Sequence, residues 1–351
     1  MDGTPENPRV ALLGLSRDAL RSALTAHDAP AFRADQLLDW VYRHGVDTFD
    51  AMTNLPADLR RALQAGFVLY QARVSAESAA ADGTRKLLLA WSDGNTSECV
   101  LIPDEARRTA CISTQVGCPV GCVFCASGLE GVRRNLTAAE IVEQALRVRT
   151  LAGGLTNVVF MGLGEPLANY DATLAAIQII NADWGLNIGA RKITVSTVGL
   201  PKQMRRLADE GLQINLALSV HAPTDELRGT LIPWAKSIPL SELVEACRYY
   251  FERTHREITL EYVLLGGVND QAEHARQLAR LAKQMRSNVN LIRYNPVIGL
   301  LYERPTAEAS LRFQRILREA GVNTHLRRSR GLDIDAACGQ LRRRQQVLAA
   351  D

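Results

Sequence analysis

The chain has 351 residues, 47% hydrophobic and 23% charged, which excludes a disordered or fibrous protein and leaves room for two or three domains. Net charge is only +3, so the molecule as a whole is not a polycation; 36 of its 41 basic residues are nevertheless arginine, the side chain suited to bidentate phosphate contacts, a preference that a GC-rich coding bias also produces. No apolar run approaches 18 residues, and the opening MDGTPENPRV has no basic stretch leading into an apolar one, so no membrane span and no secretory signal are expected, and the expected compartment is the cytoplasm.

Residues 16–67 read as helical, with Leu20, Leu24, Leu37, Leu38, Val41 and Tyr42 spaced to form apolar faces. A short β-like run over 67–74 is followed by the polar, glycine-containing SAESAAADGT. LLLAWSD and SECVLIP, joined by a Gly-Asn turn, then predict a β-hairpin. From about residue 109 the rhythm changes. The strand candidates TACIST, NVVFM, KITVST, INLALS, ITLEYVLL and VNLIR alternate with helical stretches. One helix opens at Thr137 with Glu140 in capping-box spacing, and others cover 171–181, 240–254, 271–286 and 306–320. Six strand-then-helix units predict a parallel α/β sheet, either doubly wound or a barrel. The domain boundaries expected are 1–67 (a helical accessory domain), 68–103 (a β extension), 104–333 (the main body) and 334–351 (a C-terminal segment).

Seven cysteines, at 99, 111, 118, 122, 125, 247 and 338, are an odd number in a large chain, which favours reduced thiols, metal ligation or catalysis over a disulfide framework. The sharpest motif is GCPVGCVFCASG, in which Cys118, Cys122 and Cys125 follow the first barrel-like strand with CxxxCxxC spacing. Three thiolates in one short loop repel unless a cation holds them. Zinc would need a fourth ligand, whereas an iron–sulfur cube held by three cysteines leaves one iron open for a small molecule. Three unrelated buried thiols is the bland alternative.

Polar residues also punctuate the strand ends: Gly164-Glu165-Pro166, then Ser196, then Ser219-Val220-His221, then Asn295. In βα barrels that end of the strands forms the active-site face. Any one of these residues alone reads more simply as a helix cap or a packed side chain. Their recurrence at one structural position is what points to a site.

The cysteine spacing, with Phe124 before the last thiol, resembles the radical S-adenosylmethionine (SAM) superfamily. RTACISTQVGC, MGLGEPLAN, SVHAP, GGVND and DIDAACGQL are similar to the RlmN/Cfr family of RNA adenine methyltransferases, and PAFRADQLLDWVYRHGVDTFDAMTNLP resembles the helical accessory domain of RlmN. The resemblance implies a partial (β/α)6 TIM-type barrel with a small N-terminal helical domain. It implies one [4Fe–4S] cluster on Cys118, Cys122 and Cys125, and SAM, two per turnover, held by Gly164, Glu165, Ser196, Ser219, Val220, His221 and Asn295.

Two further thiols would do the chemistry. Cys338 would accept a methyl group from one SAM, and a 5′-deoxyadenosyl radical from a second would activate that methyl for addition to adenine. Cys111 would then resolve the adduct through a transient disulfide with Cys338. Glu98, in SECVLIP, matches a proposed proton acceptor. The implied substrates are 23S rRNA and tRNA, methylated at carbon 2 of adenine; the implied electron donor is a small redox protein such as flavodoxin or ferredoxin. A monomer without a membrane partner is expected.

Pro166 in GEP sides with RlmN, whereas Arg293-Tyr294-Asn295-Pro296 sides with the Cfr branch, which methylates carbon 8. The N-terminal match tips the balance to RlmN. A reading of another class is a non-catalytic iron–sulfur or zinc RNA-binding protein. Support for RNA comes from Arg327, Arg328, Arg330, Arg342, Arg343 and Arg344, which with Asp333 and Asp335 give a local net charge of +4 around Cys338, and from Arg107, Arg108, Arg133 and Arg134 beside the cysteine loop. A target base must be flipped out or lie in a loop to be reached.

Overall fold

The computed structural model describes residues 9–25, 29–327, 330 and 334. Cys338 and the arginines Arg328, Arg342, Arg343 and Arg344 lie outside the described residues. The chain opens with a two-residue strand β1 (Val10–Ala11) and helices α1 (Arg17–Thr25), α2 (Phe32–Asp39) and α3 (Ala57–Gly66). Helix α2 runs on as a π turn over Trp40–His44 and is stopped by Gly45 in the left-handed conformation, φ +69°. Strand β2 (Phe67–Val68) returns to pair in parallel with β1.

Strands β3 (Arg73–Ala79), β4 (Arg85–Ala90), β5 (Thr96–Asp104) and β6 (Arg107–Cys111) then form an antiparallel meander. The expected hairpin is β4–β5. The polar segment before it is strand: residues 75–79 continue β3, and 76–79 pair with β4. Its polarity reflects a strand at the edge of the sheet with solvent on one side.

A small ribbon of β7 (Gln115–Gly117) and β8 (Val132–Asn135) brackets the cysteine loop. From there strands and helices alternate: α4 (Ala138–Ala152), β9 (Asn157–Phe160), α5 (Tyr170–Asn181), β10 (Ile193–Thr197), α6 (Pro201–Asp209), β11 (Asn215–Ser219), α7 (Asp225–Leu231), α8 (Leu240–Thr254), β12 (Ile258–Leu264), α9 (Ala272–Ala282), β13 (Ser287–Arg293), α10 (Ala307–Glu319) and a short β14 (Thr324–Leu326). The capping box at α4 is formed: the Thr137 hydroxyl accepts the Glu140 N–H, and the Glu140 carboxylate accepts the Thr137 N–H.

Strands β3–β6 and β9–β14 join one ten-stranded sheet in the order β14-β13-β12-β11-β10-β9-β6-β5-β4-β3, apart from the β1–β2 and β7–β8 pairs. Pairing is parallel from β6 through β9 to β14, and each new strand lies beside the previous one. A doubly wound sheet would reverse its strand order part-way. The uniform progression, with β3 and β14 at opposite edges, is that of an incomplete barrel. One continuous core joins Leu12, Leu13 and Leu37 of the N-terminal helices to Ile141 and Ile177 on the barrel helices and Val195 and Leu260 in the strands. A second, smaller core of Val120, Phe124, Leu231, Ile232, Leu265 and Tyr294 lies against the cysteine loop. Among the described residues no helix is long and apolar enough to cross a membrane.

Candidate functional site

A cavity of about 370 Å³ lies at the carboxyl ends of the barrel strands, and nearly every candidate residue lines it. Cys118, Cys122 and Cys125 enter it from the loop after β7. That loop is shaped by its backbone: the Cys118 N–H donates to the Gly131 carbonyl at 3.0 Å, and the Cys125 N–H to the Cys122 carbonyl at 3.1 Å. Burial pushes the Cys118 thiol up to about 12, even though backbone N–H groups of Val120 and Gly164 point at its sulfur. Cys122 is pushed up as well, by burial first and then by Cys125 and Cys118. Three thiols gathered in one buried loop need a cation to ionise together.

Facing them is the turn Gly164-Glu165-Pro166. Gly164 has φ +103°, and a Cβ there would sit 2.7 Å from the Gln115 Cβ, so only glycine fits. Glu165 is buried, with its N–H on Gln115 Oε1 at 2.8 Å. Its two carboxylate oxygens accept the N–H groups of Leu167 (3.0 Å) and Val198 (2.7 Å). Burial raises this carboxyl to about 7 despite those donors.

The remaining residues come from successive strand ends. Ser196 and Ser219 place their hydroxyls 3.3 Å apart. His221 adopts φ +52°, a left-handed backbone that costs energy for a non-glycine residue. Its Nδ1 accepts the Val263 N–H at 3.1 Å, which puts the ring proton on Nε2, and burial holds the imidazole neutral with its proton affinity lowered to about 3. The ring meets Phe124 edge-on at 5.2 Å. Asn295 presents its amide to the cavity while its Oδ1 accepts from Arg304 at 2.7 Å. Val220 is the exception: its side chain sits in the main core, and its N–H donates to the Glu261 carbonyl at 3.1 Å.

A further wall belongs to the meander. Val100 lies directly across from Cys111, so Glu98, Val100 and Ile102 alternate onto the cavity face beside that thiol. Ser113 ties this wall to the rest, its hydroxyl donating to the Glu98 carbonyl at 2.6 Å and accepting the Leu163 N–H at 2.8 Å. Cys111 is buried, which pushes its thiol up to about 11 against the pull of Arg327 and Lys86. Cys99, one residue from the cavity face, lies in the main core, as does Cys247. The six cysteines among the described residues are all free thiols.

Sequence reading missed Lys86 and Glu261, both buried and both lining the cavity. In a linear sequence they look like solvent-facing charges on alternating strands. Of the arginines expected to meet phosphate beside the loop, Arg134 is engaged with Asp93 and Glu140, Arg107 with Asp104 and Arg133 with Glu130, while Arg108 Nε donates to the Gly154 carbonyl. Intramolecular partners therefore engage these four; Arg327 and Arg330 line the cavity, Arg330 while paired with the Asp104 carboxylate that also engages Arg107.

Residues 112–282 match the model of the radical SAM superfamily, and residues 10–69 match that of the ribosomal RNA large subunit methyltransferase N-terminal domain. A probable dual-specificity RNA methyltransferase RlmN 3 from Opitutus terrae is 47% identical over 100% of this chain and 99% of its own length. The chain belongs to the RlmN family of radical SAM RNA methyltransferases. A second member, from Rhodopirellula baltica, is 46% identical over 97% of this chain and 92% of its own. The crystal structure of a radical SAM methyltransferase from Sphaerobacter thermophilus superposes with a TM-score of 0.92 at 45% identity, covering 94% of this chain and 98% of that one.

Membership of the RlmN family implies a [4Fe–4S] cluster and SAM, and the donor set fits. No group of three or more His, Cys, Asp or Glu among the described residues is arranged to hold a single metal ion. Each thiol of a cuboidal cluster binds a different iron, and three cysteines of one short loop that line one cavity are a donor set of that kind. The loop also carries a buried Ser127 hydroxyl with no hydrogen-bond partner.

Proposed function

We propose that this RlmN-family enzyme methylates carbon 2 of adenine in 23S rRNA and in tRNA, with Cys338 as methyl carrier and Cys111 as resolving thiol. The observation that carries the reading is that Cys118, Cys122 and Cys125 line one cavity together with Cys111 and Glu98. The three cysteines hold the cluster, and Glu165, Ser196, Ser219, His221 and Asn295 orient SAM, two molecules per turnover. When bound, the cluster and SAM supply a one-electron cleavage that yields a carbon radical.

The chain's own groups do the rest. Cys338 carries the methyl carbon to the base. Glu98 accepts the ring proton that substitution must release. The Cys111 thiolate then attacks the Cys338 sulfur, so that an S–S bond forms as the C–S bond breaks, and the departing carbon keeps the electron pair and takes a proton to become the product methyl group. An external dithiol returns the disulfide to two thiols, and a small redox protein such as flavodoxin or ferredoxin provides the electron. The helical segment up to residue 67 and the arginines near Cys338 contact the RNA backbone, and the enzyme acts in the cytoplasm.

The deciding experiment is mass spectrometry of nucleosides from 23S rRNA and tRNA transcripts after anaerobic reaction. 2-Methyladenosine in both RNAs is the expected product. 8-Methyladenosine would instead assign the chain to carbon-8 chemistry, and the absence of any methylated adenine would overturn the reading.

A further inference from the structure

Arg228 is 1% exposed, one of the largest fully buried side chains among the described residues. Its NH2 donates to the Val198 carbonyl at 2.5 Å and its NH1 to the Ile238 carbonyl at 3.2 Å, while Nε has no partner. Both partners are neutral, yet a buried guanidinium is costly unless an anion compensates its charge. The acidic groups that act on it are first Asp225, whose carboxylate also accepts the Leu240 N–H at 2.7 Å, and then the Cys122 thiol, which becomes negative only when it ligates iron.

The location explains the burial. The carbonyl of Leu231, at the end of α7, accepts the N–H of Val123 from within the cysteine loop at 3.1 Å, so the helix carrying Arg228 is bonded directly to that loop. Val198, whose carbonyl Arg228 grips, is also the residue whose N–H donates to Glu165. A cluster held by three thiolates is an anion, and it gains a further negative charge on reduction. Its potential is set by nearby charge, hydrogen bonds and solvent exposure.

We propose that Arg228 is the buried counter-charge of the cluster, a positioning residue that makes the reduced state easier to reach. The inference rests on reading Cys118, Cys122 and Cys125 as cluster ligands. A purely structural arginine bridging two carbonyls would stabilise the fold but leave the potential alone.

The test uses the full chain, reconstituted anaerobically, as wild type, Arg228→Met and Arg228→Lys, without RNA. Iron and sulfide content are measured, and the midpoint potential is read by titration of the reduced-cluster electron paramagnetic resonance signal. Arg228→Met is expected to keep its iron and to shift the potential to more negative values, with Arg228→Lys close to wild type. An unchanged potential in iron-loaded Arg228→Met overturns the proposal. If the methionine variant does not fold or load, a neutral variant that can still donate to the carbonyls decides. In that case Arg228→Gln takes the place of the methionine variant: a negative shift in the iron-loaded glutamine variant with Arg228→Lys near wild type supports the counter-charge, and an unchanged potential, or an equal negative shift in Arg228→Lys, overturns it. Iron-free wild type would sink the cluster reading itself, which is a separate outcome.

Discussion

At the scale of single residues, the buried carboxyls give the site a measurable pH signature. Glu261 is 5% exposed and its two oxygens share one donor, the Asn290 amide, at 2.9 and 3.2 Å. Burial raises it from the ordinary 4.5 to about 7, with Arg327 pulling the other way. The native state favours the protonated form, so the stabilisation this group confers is whole below pH 4.5 and is lost as the pH rises through 7. A rise of that size corresponds to about 3 kcal/mol. Glu261→Gln should therefore match the wild type in denaturant titrations near pH 4.5 and exceed it by up to that amount at pH 8. Parallel stability curves would remove the carboxyl from the account.

Cys111 makes a second residue-scale prediction. Its buried thiol can resolve an adduct only after losing its proton, and Lys86 and Arg327 are the groups that favour that loss. Cys111→Ala leaves methyl loading and addition possible but removes the attack on the Cys338 sulfur. It should accumulate a covalent RNA–protein species, seen as a slow band on a denaturing gel that nuclease collapses. Normal turnover with no trapped species would sink the two-thiol scheme.

At the scale of elements, the β7–β8 ribbon sets the cysteine loop, and one glycine makes it possible. Gly117 has φ +78°, and a Cβ there would lie 2.0 Å from the Gly131 carbonyl oxygen that accepts the Cys118 N–H. Gly117→Ala must part the ribbon and displace the first thiol. Reconstituted iron content should fall by more than half while far-ultraviolet circular dichroism stays near wild type. Gly45→Ala is the control. Its φ of +69° is also left-handed but its surroundings are open, so it should cost about 1 kcal/mol and leave iron content unchanged.

The elements themselves were largely legible. Central strands such as ITLEYVL are buried on both faces and read as near-continuous apolar runs, and Thr137 with Glu140 announces its helix. Other parts were not legible, for physical reasons. Helix α7 is short and carries Gly229, and β14 has three residues, so neither repeats long enough to show a period. The antiparallel meander joins the barrel sheet through the pairing of β6 with β9, a contact between distant segments that local pattern does not encode. The candidate site was legible where it is a motif. Lys86, Glu261 and Arg228 were not, because a buried charge and an exposed one are written with the same letter.

At the scale of the whole molecule, helix α4 joins the N-terminal segment to the barrel. Its Glu143 carboxylate accepts the N–H groups of Gln71 (2.7 Å) and Ala72 (3.0 Å), and Arg147 donates to the Ala72 carbonyl at 2.8 Å. Arg149 NH2 donates to the Arg43 carbonyl at 3.1 Å, and the Tyr42 hydroxyl to that of Leu13 at 3.3 Å. Leu12 and Leu13 are almost wholly buried, and Gly14 sits so close to Ala139 that an added Cβ would be 3.1 Å from its backbone. Because these contacts lie in the same core as the barrel strands, the two parts should unfold together. Leu13→Ala removes a buried side chain whose loss costs roughly 2–5 kcal/mol. That cost should appear as faster hydrogen exchange at amides in the distant strands β11 and β12, at a rate common to the global opening. Exchange that quickens only before residue 70, leaving those strands at their wild-type protection, would show the N-terminal segment to be an independent folding unit.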